Sequence, residues 1–234
     1  MKSLLTIAKR KWMHLCLQPI RVYCLHHVCA YFDAASMYKT DWMAIENFKH
    51  KVLTSQQQGV EFISLSEAFK KLQKDHIRLN KYAVLTFDDG YASLKEILPW
   101  LIQQNIPVTL FINPDYAEGK AYRDTPTENY LSIADIGNYV TTSHSLIEIG
   151  LHGLQHKDVT TMSEQEFINF VTKSIAATSK IKGFIPFWAY TWGRHTAMTD
   201  MILQANNIIP VLTDGMRNFN DTNSIHRELF VVNN

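Results

Sequence analysis

Short apolar runs rich in β-branched residues alternate along the chain with stretches whose apolar residues recur every three or four positions. The runs are Arg21–Val28, Glu61–Leu65, Tyr82–Phe87, Ile106–Ile112, Leu146–Leu151, Phe184–Tyr190 and Ile208–Thr213, and each predicts a strand. Tyr82–Phe87 and Ile106–Ile112 are apolar enough for burial on both faces. Ile225–Val232 predicts a last strand or a trailing edge. Between the runs, Asp41–Gln58 carries a helical stripe of Met43, Phe48, Val52 and Leu53, ended by Gly59. Ser64 and Glu67 have capping-box spacing for a helix reaching about Lys74. Leu94, Ile97, Leu98 and Leu101 mark another helix, in which Pro99 predicts a kink or a boundary. Ser132–Val140 predicts a short helix. Ser163–Glu166 is a capping box, followed by an inner face of Phe167, Phe170, Val171, Ser174, Ile175 and Thr178. Thr196–Asn206 predicts the last helix. Asn113–Tyr130 has no period and reads as a loop, either rimming a pocket or inserted on the surface.

Strands alternating with helices predict an α/β architecture, either a closed barrel with its chemistry at the strand C-termini or an open doubly wound sheet. No repeat, low-complexity tract or linker divides the chain. One domain is therefore expected over 21–234, after an N-terminal extension at 1–20.

Composition narrows the function classes. The chain has 234 residues, 46% of them hydrophobic, enough for one large core. A net charge of +1 and a pI of about 7.8 give no electrostatic case for nucleic acid. The basic cluster Lys9–Lys11 reads as a solvated terminus and interrupts what would otherwise start a secretory signal. Met13–Ile20 is too short and mixed to span a bilayer. Cys16, Cys24 and Cys29 form neither a disulfide framework nor a zinc pattern. Free thiols fit a reducing compartment, so a cytoplasmic location is expected, with membrane association only through a substrate.

Two strand ends carry candidate chemistry. Tyr82–Phe87 stops at Asp88-Asp89-Gly90, a turn that presents two adjacent carboxylates. Two like charges so close do not share one environment cheaply, which suits one carboxylate on a cation and the other free to take a proton. Taken alone, a solvated turn explains the same residues. Leu146–Leu151 delivers His152 and His156, spaced so that two imidazoles can converge on one ion or simply lie on a surface. One carboxylate and two imidazoles make an open three-ligand site with room for water.

Thr86-Phe-Asp-Asp-Gly90 and His152-x-x-x-His156 resemble the first two motifs of the polysaccharide deacetylases, the NodB-homology carbohydrate esterases. The resemblance runs in the same motif order from about Arg21 to the C-terminus. It implies a distorted (β/α) barrel, seven- or eight-stranded and TIM-like. It also implies a divalent metal, most often zinc, with cobalt, nickel or iron as alternatives, and an N-acetylated glycan as substrate. By that resemblance Asp88 is the general base acting on a metal-bound water, and Asp89, His152 and His156 hold the metal. His26 matches a histidine that lies near the site in relatives, although a histidine bonded within the core explains it equally. In the third motif Ala189 stands in the arginine slot, Thr191 in a proline slot and Trp192 in the tyrosine slot whose N–H serves the oxyanion. Arg194 and Arg227 are the candidates to replace the missing arginine. Trp188, Tyr190 and Trp192 fall on one side of a regular strand and offer a sugar a flat face or fill core space. The usual C-terminal histidine motif is absent. His226 is its nearest counterpart as a proton donor, and Asp214 orients a partner or caps a turn. The resemblance thus implies a glycan deacetylase. Two alternatives remain open: a non-catalytic metal- and carbohydrate-binding relative, or a hydrolase of small amides or esters.

Overall fold

The computed structural model describes residues 18–30, 42–74, 80–120, 129–219 and 223–230. Most of the expected N-terminal extension, with Lys9–Lys11 and Cys16, lies outside them. In chain order, β1 (Arg21–Leu25), β2 (His27–Cys29), β3 (Trp42–Ala44), α1 (Ile45–Gln57), β4 (Val60–Phe62) and α2 (Leu65–Lys74) lead to β5 (Lys81–Phe87). Then α3 (Leu98–Gln103), β6 (Val108–Ile112), α4 (Pro114–Ala117) and α5 (Ile133–Thr142) lead to β7 (Ile147–Leu151). After α6 (Glu164–Thr178), β8 (Phe184–Ala189), α7 (Ala197–Ala205) and β9 (Ile209–Leu212) come the short pieces β10 (Ile225–His226) and β11 (Glu228–Leu229).

β1, β5, β6, β7, β8 and β9 lie side by side and parallel. β10 pairs with β9, and β11 pairs with β1. These two pieces are one segment interrupted only at Arg227, so the sheet returns to its first strand. Among the described residues the result is a closed parallel barrel of seven strands, with β4 added on β5. Closure excludes the open-sheet alternative.

Side chains alternate across each strand, and the barrel sorts them by parity. Val22, Val84, Phe111, Ile185, Phe187, Ala189, Val211 and Ile225 meet in one interior cluster. Their neighbours Tyr23, Leu85, Phe87, Val108, Leu110 and Ile149 face outward under α1, α3 and α5. α2 plugs the lower end, where Leu65, Ala68 and Leu72 join the interior cluster. Its first turn is met by Glu148, whose Oε2 accepts from Ser66 N at 3.2 Å, an acidic group at the positive end of a helix.

Several boundaries differ from the pattern. The first predicted strand breaks at His26, and β2 leaves the barrel to pair with β3 in a two-stranded sheet. The helix predicted from Asp41 begins instead at Ile45. Phe48 and Val52 are buried on it, whereas Leu53 is exposed. Pro99 marks a boundary: it sits in the first turn of α3, after a 3₁₀ turn at Ala92–Glu96. Of the predicted loop at 113–130, residues 121–128 lie outside the description, and α4 occupies its start. Among the described residues, no helix is long and apolar enough to cross a membrane.

Gly150 is required by close packing across the barrel. A Cβ there would stand 2.4 Å from the Phe111 ring and 3.2 Å from Phe187 O. Gly150→Ala should therefore destabilise the fold by about 1–3 kcal/mol through overpacking, seen as a lower urea midpoint at an unchanged slope.

Candidate active site

Three chain segments end at the same mouth of the barrel. His26 follows β1, Asp88 and Asp89 follow β5, and His152 follows β7. Parity gives Asp88 the inward direction of Val84 and Thr86. Asp89 and Gly90 then take left-handed backbone, with φ of 67° and 73°, which sends the Asp89 carboxylate a different way.

Asp89, His152 and His156 present one donor atom each within 4.8 Å of one another. Asp89 Oδ1 is 3.3 Å from His152 Nε2 and 3.6 Å from His156 Nε2. His152 Nδ1 lies 2.8 Å from Ala189 O. A carbonyl only accepts, so Nδ1 carries a proton and Nε2 is the ring nitrogen turned to Asp89. That buried nitrogen has no hydrogen-bond partner, although a carboxylate oxygen stands close by. Two electron-pair donors facing each other repel unless a cation or a proton lies between them. Donors on a tetrahedral ion with bonds of ~2.0–2.1 Å stand roughly 3.3 Å apart. The three residues therefore fit a divalent ion. Burial holds His156 at a pKa of about 4, so its imidazole is neutral near pH 7. Burial alone would raise the Asp89 pKa, but His152, His156 and His26 outweigh it and keep the group ionised.

Asp88 is used differently. Arg227, projecting inward from the closing segment, grips it through two bonds, Nη1 to Oδ1 at 2.6 Å and Nη2 to Oδ2 at 2.8 Å. The guanidinium also donates to Thr86 Oγ1 at 3.1 Å and Thr213 Oγ1 at 2.9 Å, and it lies over the Phe111 ring. Burial would raise the Asp88 pKa, but Arg227 overcomes it and holds the group below the ordinary carboxylate range. The Cys24 thiol approaches Asp88 Oδ2 at 3.6 Å, and burial pushes its pKa up, so it stays protonated. Cys24, His26 and Asp88 also cluster tightly enough for a metal. Arg227 already occupies Asp88, and a second cation beside a guanidinium is disfavoured.

The remaining candidates divide. His26 is part-buried, with Nε2 at 4.0 Å from Asp89 Oδ2. Arg194, the other proposed substitute for the missing arginine, pairs with Asp158 at 2.6 Å instead. Trp192 is 55% exposed, sits edge-on to His156 at 4.3 Å, and has a left-handed φ of 52°. Tyr190 does not line the site. It is buried with Trp188, Phe167 and Leu203 behind β8, and its hydroxyl donates to Asp200 at 2.8 Å. The strand ends at Ala189, so Trp188 and Tyr190 share the outer side while the turn carries Trp192 to the rim. Next to His226, Arg227 takes the inward position. The His226 ring lies 2.7 Å from Asp214 Oδ2 and 3.3 Å from Ser224 Oγ.

A sequence profile of the polysaccharide deacetylase family matches residues 76–208, more than half of the chain. The chain belongs to the polysaccharide deacetylase family. The match carries Asp88, Asp89, His152 and His156 but stops short of both His26 and Arg227. Among solved structures, IcaB from Ammonifex degensii superposes with a TM-score of 0.76 at 22% identity, covering 92% of either chain. The Streptococcus pyogenes deacetylase PplD, in complex with acetate, gives 0.78 at 17%, over 92% of this chain and 93% of that one. A de-N-acetylase from Aggregatibacter actinomycetemcomitans gives 0.74 at 14%, over 91% and 95%. At these identities the likeness is one of fold. A comparison with curated proteins finds no match.

Replacing Arg227 with Met would leave a buried carboxylate uncompensated. Stability at pH 7 should fall by about 3–5 kcal/mol. In the unaltered protein Asp88 has a depressed pKa, so its contribution is present above ~3.9 and is lost as pH falls through the native value. Urea titrations between pH 7 and 3 should show that acid-side loss in the parent and a flatter profile in Arg227→Met.

Proposed function

We propose that the protein is a metal-dependent hydrolase that removes N-acetyl groups from an amino-sugar glycan. The observation that carries this reading is the pairing at one barrel mouth of an open three-donor cluster with an ionised, separately anchored carboxylate. A bound divalent ion, zinc by preference for two imidazoles and a carboxylate, would supply a Lewis acid for the acetyl oxygen and would acidify the attacking water.

The chain's own residues do the rest. Asp88 receives the proton of the water as its oxygen bonds to the acetyl carbon. Arg227 fixes that carboxylate in place and keeps it ionised. The turn after β8 is closed by the N–H groups of Gly193 and Arg194, and that of Trp192 takes no part. Its left-handed backbone leaves that N–H as the donor for the developing oxyanion. When the carbon–nitrogen bond breaks, the leaving nitrogen needs a proton. His26 is the donor we assign, being part-exposed, near the cluster and not needed as a ligand. His226 with Asp214 is the second candidate for that donor. Trp192 supplies the exposed aromatic wall beside the site.

A non-catalytic relative would have little use for a carboxylate anchored apart from the cluster. Arg227 also supplies a guanidinium that the third motif lacks.

Acetate release from N-acetylglucosamine oligomers tests the proposal, with metal content measured on the same samples. Asp88→Asn should lose roughly 10²–10⁴ in rate while retaining its metal. Chelation should abolish turnover, and re-addition of zinc should restore it. His26→Ala should lower the rate far more than His226→Ala, and the reverse order would reassign the proton donor. A parent protein that binds metal yet releases no acetate from any acylated sugar would favour the binding role.

A further inference from the structure

The loop His152–His156 is neither helix nor strand, yet two of its residues must converge on one point. It has few internal means of doing so. Its one local closure is a short turn at its end, from Lys157 N, one residue beyond it, to Gln155 O at 2.9 Å. Gly153 is left-handed, with φ of 81°, and a Cβ there would stand 2.8 Å from Phe170. Its shape is imposed from outside, by the residues that follow β6.

Asn113 occupies the N-cap position of α4 but makes no side-chain cap bond. That is unusual for a residue type favoured there for its capping oxygen. Its amide is turned to the histidine loop instead, and Nδ2 donates to His152 O at 2.6 Å and approaches Gly153 O at 3.4 Å. Asp115 N donates to Leu154 O at 3.2 Å. Asp115 Oδ2 accepts from Gln155 Nε2 at 3.0 Å, while its other oxygen is held by Lys120 at 2.8 Å. Tyr116 OH accepts from His156 N at 3.1 Å. Every residue of the loop is thus bonded by one of three residues from a single four-residue stretch.

We infer that Asn113, Asp115 and Tyr116 are positioning residues that preset His152 and His156 for the cation. The inference rests on the metal-site reading above. The physical reason is entropic. A loop free to sample other shapes must be ordered when the ion binds, and that ordering subtracts from affinity. Outer-layer groups of this kind commonly govern metal affinity by 10–100-fold. Asn113 matters most, because it alone bonds the backbone of a ligand and of its left-handed neighbour.

The test uses cobalt(II) alone as the probe, by chelator competition and by the visible absorption of the bound ion. Asn113→Asp keeps the side-chain volume but replaces a donor with an acceptor facing two carbonyls. It should weaken cobalt binding about 10–100-fold and alter the absorption bands. Tyr116→Phe, a milder change, should weaken binding by about tenfold with the protein still folded. If both variants fold and bind cobalt within threefold of the parent, with unchanged spectra, the positioning role is overturned. If Asn113→Asp does not fold, Tyr116→Phe decides by itself. A parent that binds no cobalt, or a His152→Ala variant that binds it as well as the parent, overturns the metal site itself and the brace with it.

Discussion

The buried ion pair between Arg227 and Asp88 is the constraint on which the rest depends. Both groups are almost wholly out of solvent, and two bonds of 2.6 and 2.8 Å join them. Taking either charge alone into the barrel would cost several kcal/mol. Each is tolerable only because the other is there, with Thr86, Thr213 and Cys24 adding further hydrogen bonds, while Arg227 Nε is left without a partner. Arg227 belongs to the segment that joins β9 to β1, so the contact that keeps the carboxylate ionised also spans the seam of the barrel. Phe111 supports the guanidinium from below, and it fits only because Gly150 has no side chain. Site electrostatics and barrel closure are therefore one arrangement.

A parallel barrel does the aiming. Every strand ends at the same mouth, and parity decides which residue of each pair looks inward. Cys24, Thr86, Asp88, Phe111, Gly150, His152, Thr213 and Arg227 all follow from that rule. The Asp89–His152–His156 cluster needs more than parity, because Asp89 and His156 sit past the strand ends. There the backbone is set by a left-handed turn at Asp89 and by the bonds that residues after β6 make to the histidine loop.

Much of this was legible from residue order. The Asp-Asp-Gly turn, the paired histidines and the strand–helix alternation all identify themselves locally. What stayed hidden depends on register. His226 and Arg227 are adjacent, and only one can face inward. Nothing in Ile-His-Arg-Glu says which, since that is decided by pairing with β9 and β1 on opposite sides. Which of Trp188, Tyr190 and Trp192 fills core space was open for a related reason: the strand stops one residue before Tyr190, and Trp192 escapes the alternation through a strained turn. The β2–β3 sheet was missed because its strands are three residues each, and β3 runs directly into a helix. Asn113 gave no local signal of its role, because the stretch it opens has no period and reads as a loop, and its partners lie 39 and 40 positions further on.

The left-handed backbone of Asp89 limits what evolution or design can do at that corner. Short side chains such as Asp and Asn tolerate this conformation, while longer or branched ones meet steric strain. Asparagine would keep the shape but forfeit the negative charge, histidine would do the same, as His144 shows at φ 50°, and glutamate would have to distort the chain. Position 89 is thus open to fewer side chains than positions 152 and 156, neither of which is held left-handed.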